Sequence, residues 1–240
     1  MTTDLNTPAS SLSDDTHHRQ SMRKVALTAL AGTSIEWYDF FIYGTAAALI
    51  FPSAFFSSSS ETVALILSFG TFAFGFIARP LGGILFGHFG DRVGRKKTLV
   101  IALVLMGVAS TLIGLLPTYA TIGVAAPILL SILRFTQGLA IGGQWGGAML
   151  LVTENAPADK RGYYGAYAQA GAPVGVILAN LAFLIISALV SEEFFQQWGW
   201  RIPFLSSVVL IGISIYVQLH LEDTSAFKEL VEYKAEHSEE

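Results

Sequence analysis

Gly87-His88-Phe89-Gly90-Asp91-Arg92-Val93-Gly94-Arg95-Lys96-Lys97 joins two apolar runs, each long enough to cross a bilayer. Four basic side chains, with His88 beside them, crowd this short turn. Lys and Arg accumulate in short cytoplasmic loops, so the turn is a topology signal. Its three glycines allow a tight turn and a close approach of two helices. The stretch points to an all-α protein that crosses a membrane several times.

Composition agrees. The 240 residues are 52% hydrophobic and only 13% charged, with a mean hydropathy of +0.56. Soluble domains carry about 25% charged residues, so the chain falls in the membrane class. It has no cysteine, which excludes disulfides, thiol catalysis and thiolate metal sites. The basic residues lie in short loops rather than on one face, which argues against a nucleic-acid partner.

Six apolar segments are predicted as spans, at about 25–51, 62–89, 98–116, 120–152, 162–190 and 202–221. Each is near or above the roughly 20 residues that a spanning helix needs. Pro80, Pro127 and Pro173 are expected inside spans. The organisation predicted is a polar, disordered cytoplasmic tail at 1–24, a six-helix bundle at 25–221 and the start of a linker at 222–240. The tail lacks the apolar stretch of a signal peptide. In the linker, Phe227, Leu230, Val231 and Lys234 fall at helical spacing, which suits a helix on the membrane surface. A solvated tail is the alternative there.

Basic residues set the orientation. Arg19, Arg23 and Lys24 precede the first span, and Arg92, Arg95, Lys96 and Lys97 follow the second. Lys160 and Arg161 follow the fourth, and Lys228 and Lys234 the sixth, so 11 of the 14 basic residues share one side. This asymmetry predicts an even number of spans and two cytoplasmic termini. Glycines four apart recur, as in Gly83/Gly87, Gly138/Gly142 and Gly171/Gly175, and predict close helix packing.

Four charges fall within spans: Glu36, Asp39, Arg79 and Arg134. Each costs roughly 2.5–3.5 kcal/mol on insertion scales, so each marks a pathway or a coupling site by default. Glu36 and Asp39 are three apart and are expected to share a helix face. A pair of carboxyl groups in apolar surroundings suits proton uptake and release near neutral pH. The alternative is an ion pair with Arg134 or Arg79 that only holds the bundle together. Arg134, always charged and able to grip a carboxylate with two hydrogen bonds, suits an anionic substrate or Asp39. Gln137, Gln144, Trp145 and Asn180 add polar groups to the fourth and fifth spans, and Tyr38 lies between the two carboxylates. These five are further candidates for the substrate cavity. The matching depth of Glu36/Asp39 and Arg134/Gln137 suggests a three-helix repeat. Arg79 is left between substrate binding and a structural role.

Three stretches together carry a family resemblance: Glu36-Trp37-Tyr38-Asp39-Phe40, Ala78-Arg79-Pro80-Leu81-Gly82-Gly83 and Arg134-Phe135-Thr136-Gln137-Gly138. Trp198-Gly199-Trp200-Arg201-Ile202-Pro203-Phe204 fits as well. With the opening stretch, they make the chain resemble the N-terminal six-helix half (3+3 repeat) of a major facilitator superfamily carrier. The branch resembled is the bacterial metabolite:proton symporters, similar to shikimate, 2-oxoglutarate and proline-betaine transporters. The resemblance implies proton-coupled symport of a small organic acid or zwitterion across the inner membrane, by alternating access, without a cofactor. It also implies a cytoplasmic gate from Gly87, Asp91, Arg92, Gly94 and Arg95, with Glu154 and Arg161 as a companion motif.

Carriers of that kind have twelve spans, so the chain is expected to need a second six-helix half or a second copy. A truncated half that does not transport is the alternative. A passive pore would need a continuous polar stripe, which no span carries. An embedded enzyme would need a metal spacing, a Ser/His pair or a nucleotide loop, and none is evident.

Overall fold

The computed structural model describes residues 9–93 and 95–219. Seven long helices carry the fold: α1 (Ala9–Leu49), α2 (Glu61–Val93), α3 (Arg95–Leu115), α4 (Ala125–Asn155), α5 (Arg161–Gln169), α6 (Gly171–Leu189) and α7 (Arg201–Leu219). Among the described residues there is no strand. In oil every backbone N–H and C=O needs an internal partner, and a helix supplies it within one segment.

Helices α5 and α6 form one span, Ala158–Leu189. Pro173 has no N–H to return to the preceding turn, and the two helices meet just before it. Pro127 likewise falls in the first turn of α4, where its missing N–H costs nothing. Pro80 is internal to α2, and Pro173 is internal to the span Ala158–Leu189, at the break between its two helices.

Three segments, Glu61–Gly90, Ala125–Gly143 and Ala158–Leu189, are long and apolar enough to cross a membrane on length and composition. A fourth qualifies when Glu192–Gly199 and Arg201–Tyr216, bent by 50°, count as one span. α1 falls short because Glu36, Asp39 and the hydroxyl residues around them lower its hydropathy. The apolar part of α3, Val100–Leu115, is short. The expected six spans thus correspond to six helical passes, of which four stand out by hydropathy.

The segment expected as a disordered tail is helical from Ala9 onward. A helix already nucleated in an apolar span propagates into polar sequence at little cost. Residues 1–8 and the linker at 222–240 lie outside the described residues.

Close packing joins α2 with α4, α1 with α6, and α3 with α7, while α3 also packs on α4 and α1 on α7. Exchange α1 with α4, α2 with α5–α6, and α3 with α7, and this set of contacts maps onto itself. That is the signature of two three-helix repeats. Glycine sets the closeness: a Cβ on Gly82, Gly138 or Gly142 would overlap the backbone carbonyl of Leu139, Gly75 or Arg79 respectively. A Cβ on Gly171 would overlap the Thr33 side chain, and one on Gly175 would come within 2.5 Å of Trp37. Gly83 and Gly87 do not make such an approach: Gly83 has ordinary clearance and Gly87 faces open space.

An aromatic core of Tyr43, Phe51, Phe55, Trp200 and Phe204 fills one end of the bundle. Met22, Ala26, Val152, Tyr164 and Ala168 fill the other. The outer surface is apolar, with Ile66, Ile77, Ile84 and Leu184 exposed, as lipid contact requires.

Candidate functional site

Asp39 is 1% exposed and sits where α1, α3, α4 and α7 converge. Its Oδ2 accepts from Ser110 Oγ at 2.6 Å and from Gln137 Nε2 at 2.8 Å. Its Oδ1 accepts from Ser207 Oγ at 3.1 Å. Gln137 uses its second amide hydrogen on Ser110 Oγ, at 2.7 Å. Its Oε1 accepts from Arg134 Nη1 at 3.1 Å. Carboxylate and guanidinium are therefore relayed through one amide whose donors and acceptor all point the right way.

The Arg134 guanidinium is enclosed by aromatic faces. Its central carbon lies 4.1 Å from the Tyr43 ring centroid, 4.7 Å from Phe72 and 5.3 Å from Phe40. These contacts substitute in part for water. Its Nε has no hydrogen-bond partner among the described residues and faces Gly75, where a Cβ would come within 3.0 Å. Tyr43 is in turn hydrogen-bonded to Thr71, and Thr71 donates to the Ser68 carbonyl at 2.6 Å.

A separate cavity of about 450 Å³ opens between α1, α2 and α4. Glu36, Trp37, Phe40, Arg79, Gly83 and Gly142 line it. Arg79 lies over Phe40 at 5.1 Å and Phe76 at 4.8 Å, and it interacts electrostatically with Glu36. Phe40 thus stands between two guanidinium groups, Arg79 on the cavity side and Arg134 on the buried side.

Of the candidates read from sequence, Asp39, Arg134 and Gln137 come together in the buried network, and Glu36 joins Arg79 in the cavity. Glu36 and Asp39 do not share a site, although they are three residues apart. Tyr38 turns away from the cavity to α7, where its hydroxyl lies 3.1 Å from the Pro203 carbonyl and 2.9 Å from Ser206 Oγ. Asn180 is exposed on α6, donates to the Val176 carbonyl of its own helix at 2.9 Å, and lines a different groove with Thr45 and Leu49. Gly87, Arg92 and Arg161 are exposed near helix ends. The side chains of Asp91, Arg95, Gln144, Trp145 and Glu154, and residue Gly94, lie outside the described residues.

Ser110 and Ser207 are the side chains of the Asp39 network that sequence reasoning missed. The only available signal was a hydroxyl within an apolar run at the depth of Asp39. Arg201 is partly explained too: its Nη1 donates to the Gly114 and Leu116 carbonyls at 3.2 and 3.0 Å, capping the end of α3.

Glycine-packed helices in two related triplets, with paired acids and arginines held in the membrane layer, define a multi-pass membrane carrier domain. The chain belongs to the sugar (and other) transporter family, which it matches over residues 24–239. It is 52% identical over 214 residues to the inner membrane metabolite transport protein YhjE of Escherichia coli, covering 89% of this chain and 49% of that protein. It is 46% identical over 213 residues to the shikimate transporter of the same organism, again covering 89% and 49%. The fold matches that of the major facilitator superfamily proton:xylose symporter XylE with a TM-score of 0.70 at 20% identity, covering 86% of this chain and 46% of that one. The chain spans about half the length of the curated relatives it matches. Family and relatives are transporters, not enzymes.

Proposed function

We propose that the chain forms one half of a proton-coupled symporter for a small organic acid or zwitterionic metabolite, working by alternating access in the bacterial inner membrane. The observation that carries this is the pairing, in one membrane layer, of the sealed Asp39–Gln137–Arg134 network with the open Glu36–Arg79 cavity. Charges that cost so much in the membrane are kept where solute and proton traffic uses them.

In this reading the carboxyl groups of α1 hold the proton, and Arg134 and Gln137 tie their state to the helix that faces them. Rocking of one helix triplet against the other changes which side the cavity meets. The gate would use Gly87, Asp91, Arg92, Gly94 and Arg95, with Glu154 and Arg161. Both termini face the cytoplasm, and a second six-helix half closes the cavity. The relatives' length supports that second half. The competing reading is a half that folds but does not transport.

The test is uptake into proteoliposomes holding this chain together with a second six-helix half. An inward acid gradient is expected to drive shikimate uptake, and Asp39→Asn to abolish it. Normal gradient-driven uptake by Asp39→Asn would reject the coupling role.

A further inference from the structure

We propose that the Phe40 ring sets which carboxylates the cavity between α1, α2 and α4 accepts, by hiding one of two guanidinium groups from it. With the ring in place a ligand meets Arg79 alone, and with the ring gone it meets Arg79 and Arg134. The inference rests on the transport reading above and adds to it a residue that selects one carboxylate over two.

Phe40 follows Asp39 on α1 and is half-buried. The central carbons of Arg79 and Arg134 lie 5.1 and 5.3 Å from its ring centroid. One ring thus serves two cations, both within the roughly 6 Å over which an aromatic face attracts a charge. The two like charges repel each other across it. Trp37, Phe72 and Phe76 stand edge-on to the ring at 5.6, 5.5 and 6.1 Å and fix its plane. The ring lets the field of Arg134 through but blocks contact, so no hydrogen bond from Arg134 reaches the cavity past it.

Only one of the two guanidinium groups lines the cavity. Arg79 does, while Arg134 is 2% exposed and does not. Arg134 nevertheless has hydrogens to spare. Its Nη1 donates to Gln137 Oε1 at 3.1 Å, and its Nε has no partner among the described residues. Asp39 does not consume them, because its hydrogen bonds come from Ser110, Gln137 and Ser207. Burying an N–H without a partner is costly. A carboxylate admitted past Phe40 would find a guanidinium group that is incompletely bonded.

The lining then favours a single carboxylate. It holds one cation, Arg79, and one acid, Glu36. Arg79 can match one carboxylate with two parallel bonds. A second carboxylate on the same ligand meets Glu36 or the Trp37 and Phe40 rings, none of which carries a positive charge, and it loses water without replacement. Removing the Phe40 ring exposes Arg134 and supplies the missing cation. A volume of about 450 Å³ admits either kind of ligand, so charge rather than size discriminates.

Valerate and glutarate are the probes, since they share one carbon chain length and differ by one carboxylate. The full chain in lipid nanodiscs is the sample. The reporter is 2,3-butanedione, which modifies accessible arginine, with adducts located by peptide mass. In the native chain Arg79 should react at least ~10-fold faster than Arg134, and valerate should protect Arg79 at a concentration ~10-fold or more below that of glutarate. In Phe40→Ala the reaction of Arg134 should speed up at least ~10-fold, and glutarate should protect both arginines at lower concentration than valerate. Arg201, buried 4.3 Å from the Trp200 ring at the other end of α7's contact with α3, should keep its native rate, which checks the fold. Phe40→Val, a smaller excavation, should shift the preference the same way, and Phe40→Tyr, which keeps the ring, should behave as the native chain. Equal reactivity of Arg79 and Arg134 in the native chain, the same probe preference with and without the ring, or protection by neither probe would each overturn the proposal. Gradient-driven flux is a separate readout: the predicted protection pattern without flux would reject transport and leave the role of Phe40 standing.

Discussion

At the scale of single residues, Asp39 and Arg134 do not touch. Gln137 stands between them and satisfies both. A direct pair would have left carboxylate lone pairs and guanidinium hydrogens needing other partners. The amide, with Ser110 and Ser207, supplies three hydrogen bonds to the carboxylate and one acceptor to the guanidinium, which otherwise lies against aromatic faces. Gln137→Leu keeps the volume and removes every polar link between Asp39 and Arg134. The unpaired buried charges should then cost about 2–4 kcal/mol of stability, read as a lower unfolding midpoint in detergent. An unchanged midpoint would mean that the network is filled by water and carries little energy. Sequence could name Asp39, Arg134 and Gln137, because charged and amide side chains stand out in an apolar run. It could not name Ser110 or Ser207. Thr111, Ser131 and Thr136 also lie in apolar runs, yet they donate to the Gly107, Pro127 and Ile132 carbonyls of their own helices. A hydroxyl that crosses between helices and one that bonds back look alike until the neighbours are in place.

At the scale of elements, glycine decides how near two helices come. Between α2 and α4 the backbone of one lies against the glycines of the other. This approach also delivers Arg79 to the cavity, since Gly142 packs on its carbonyl. Gly142→Ala is expected to cost about 1–3 kcal/mol by forcing the helices apart. Gly70→Ala, on the exposed face of α2 with nothing within 4 Å, should be neutral or slightly stabilising. Thermal unfolding of the two variants side by side tests this, and equal midpoints would reject the packing role. The repeated four-residue spacing of glycine was legible, but its partner helices were not. Gly138/Gly142 and Gly171/Gly175 make close contacts while Gly83/Gly87 does not, because Gly83 stands at ordinary contact distance from Gly142 and Gly87 has passed the end of that contact.

At the scale of the whole molecule, the contacts repeat under exchange of the two helix triplets. Such a bundle is closed within itself yet leaves the Glu36–Arg79 cavity open. The proposed orientation, with both termini on the basic side, puts Asp159 in the cytoplasm and Ser58 on the opposite face. Both are exposed, and the chain has no native cysteine to interfere. Asp159→Cys should react with an impermeant maleimide only in inverted membrane vesicles, and Ser58→Cys only in right-side-out ones. The reverse pattern would overturn the orientation.

Membrane class, the approximate spans, the basic side and the charges retained in oil were all determined by the chain itself. Each depends on the composition of a segment, which folding does not alter. Only the tertiary structure decided that Asp39 is closed in by hydrogen bonds while Glu36, also buried, lines a cavity. Three residues place two side chains about 60° apart around a helix. That angle spans the boundary between a wall of neighbours and a gap, and where the boundary falls depends on how α2, α3, α4 and α7 pack around α1.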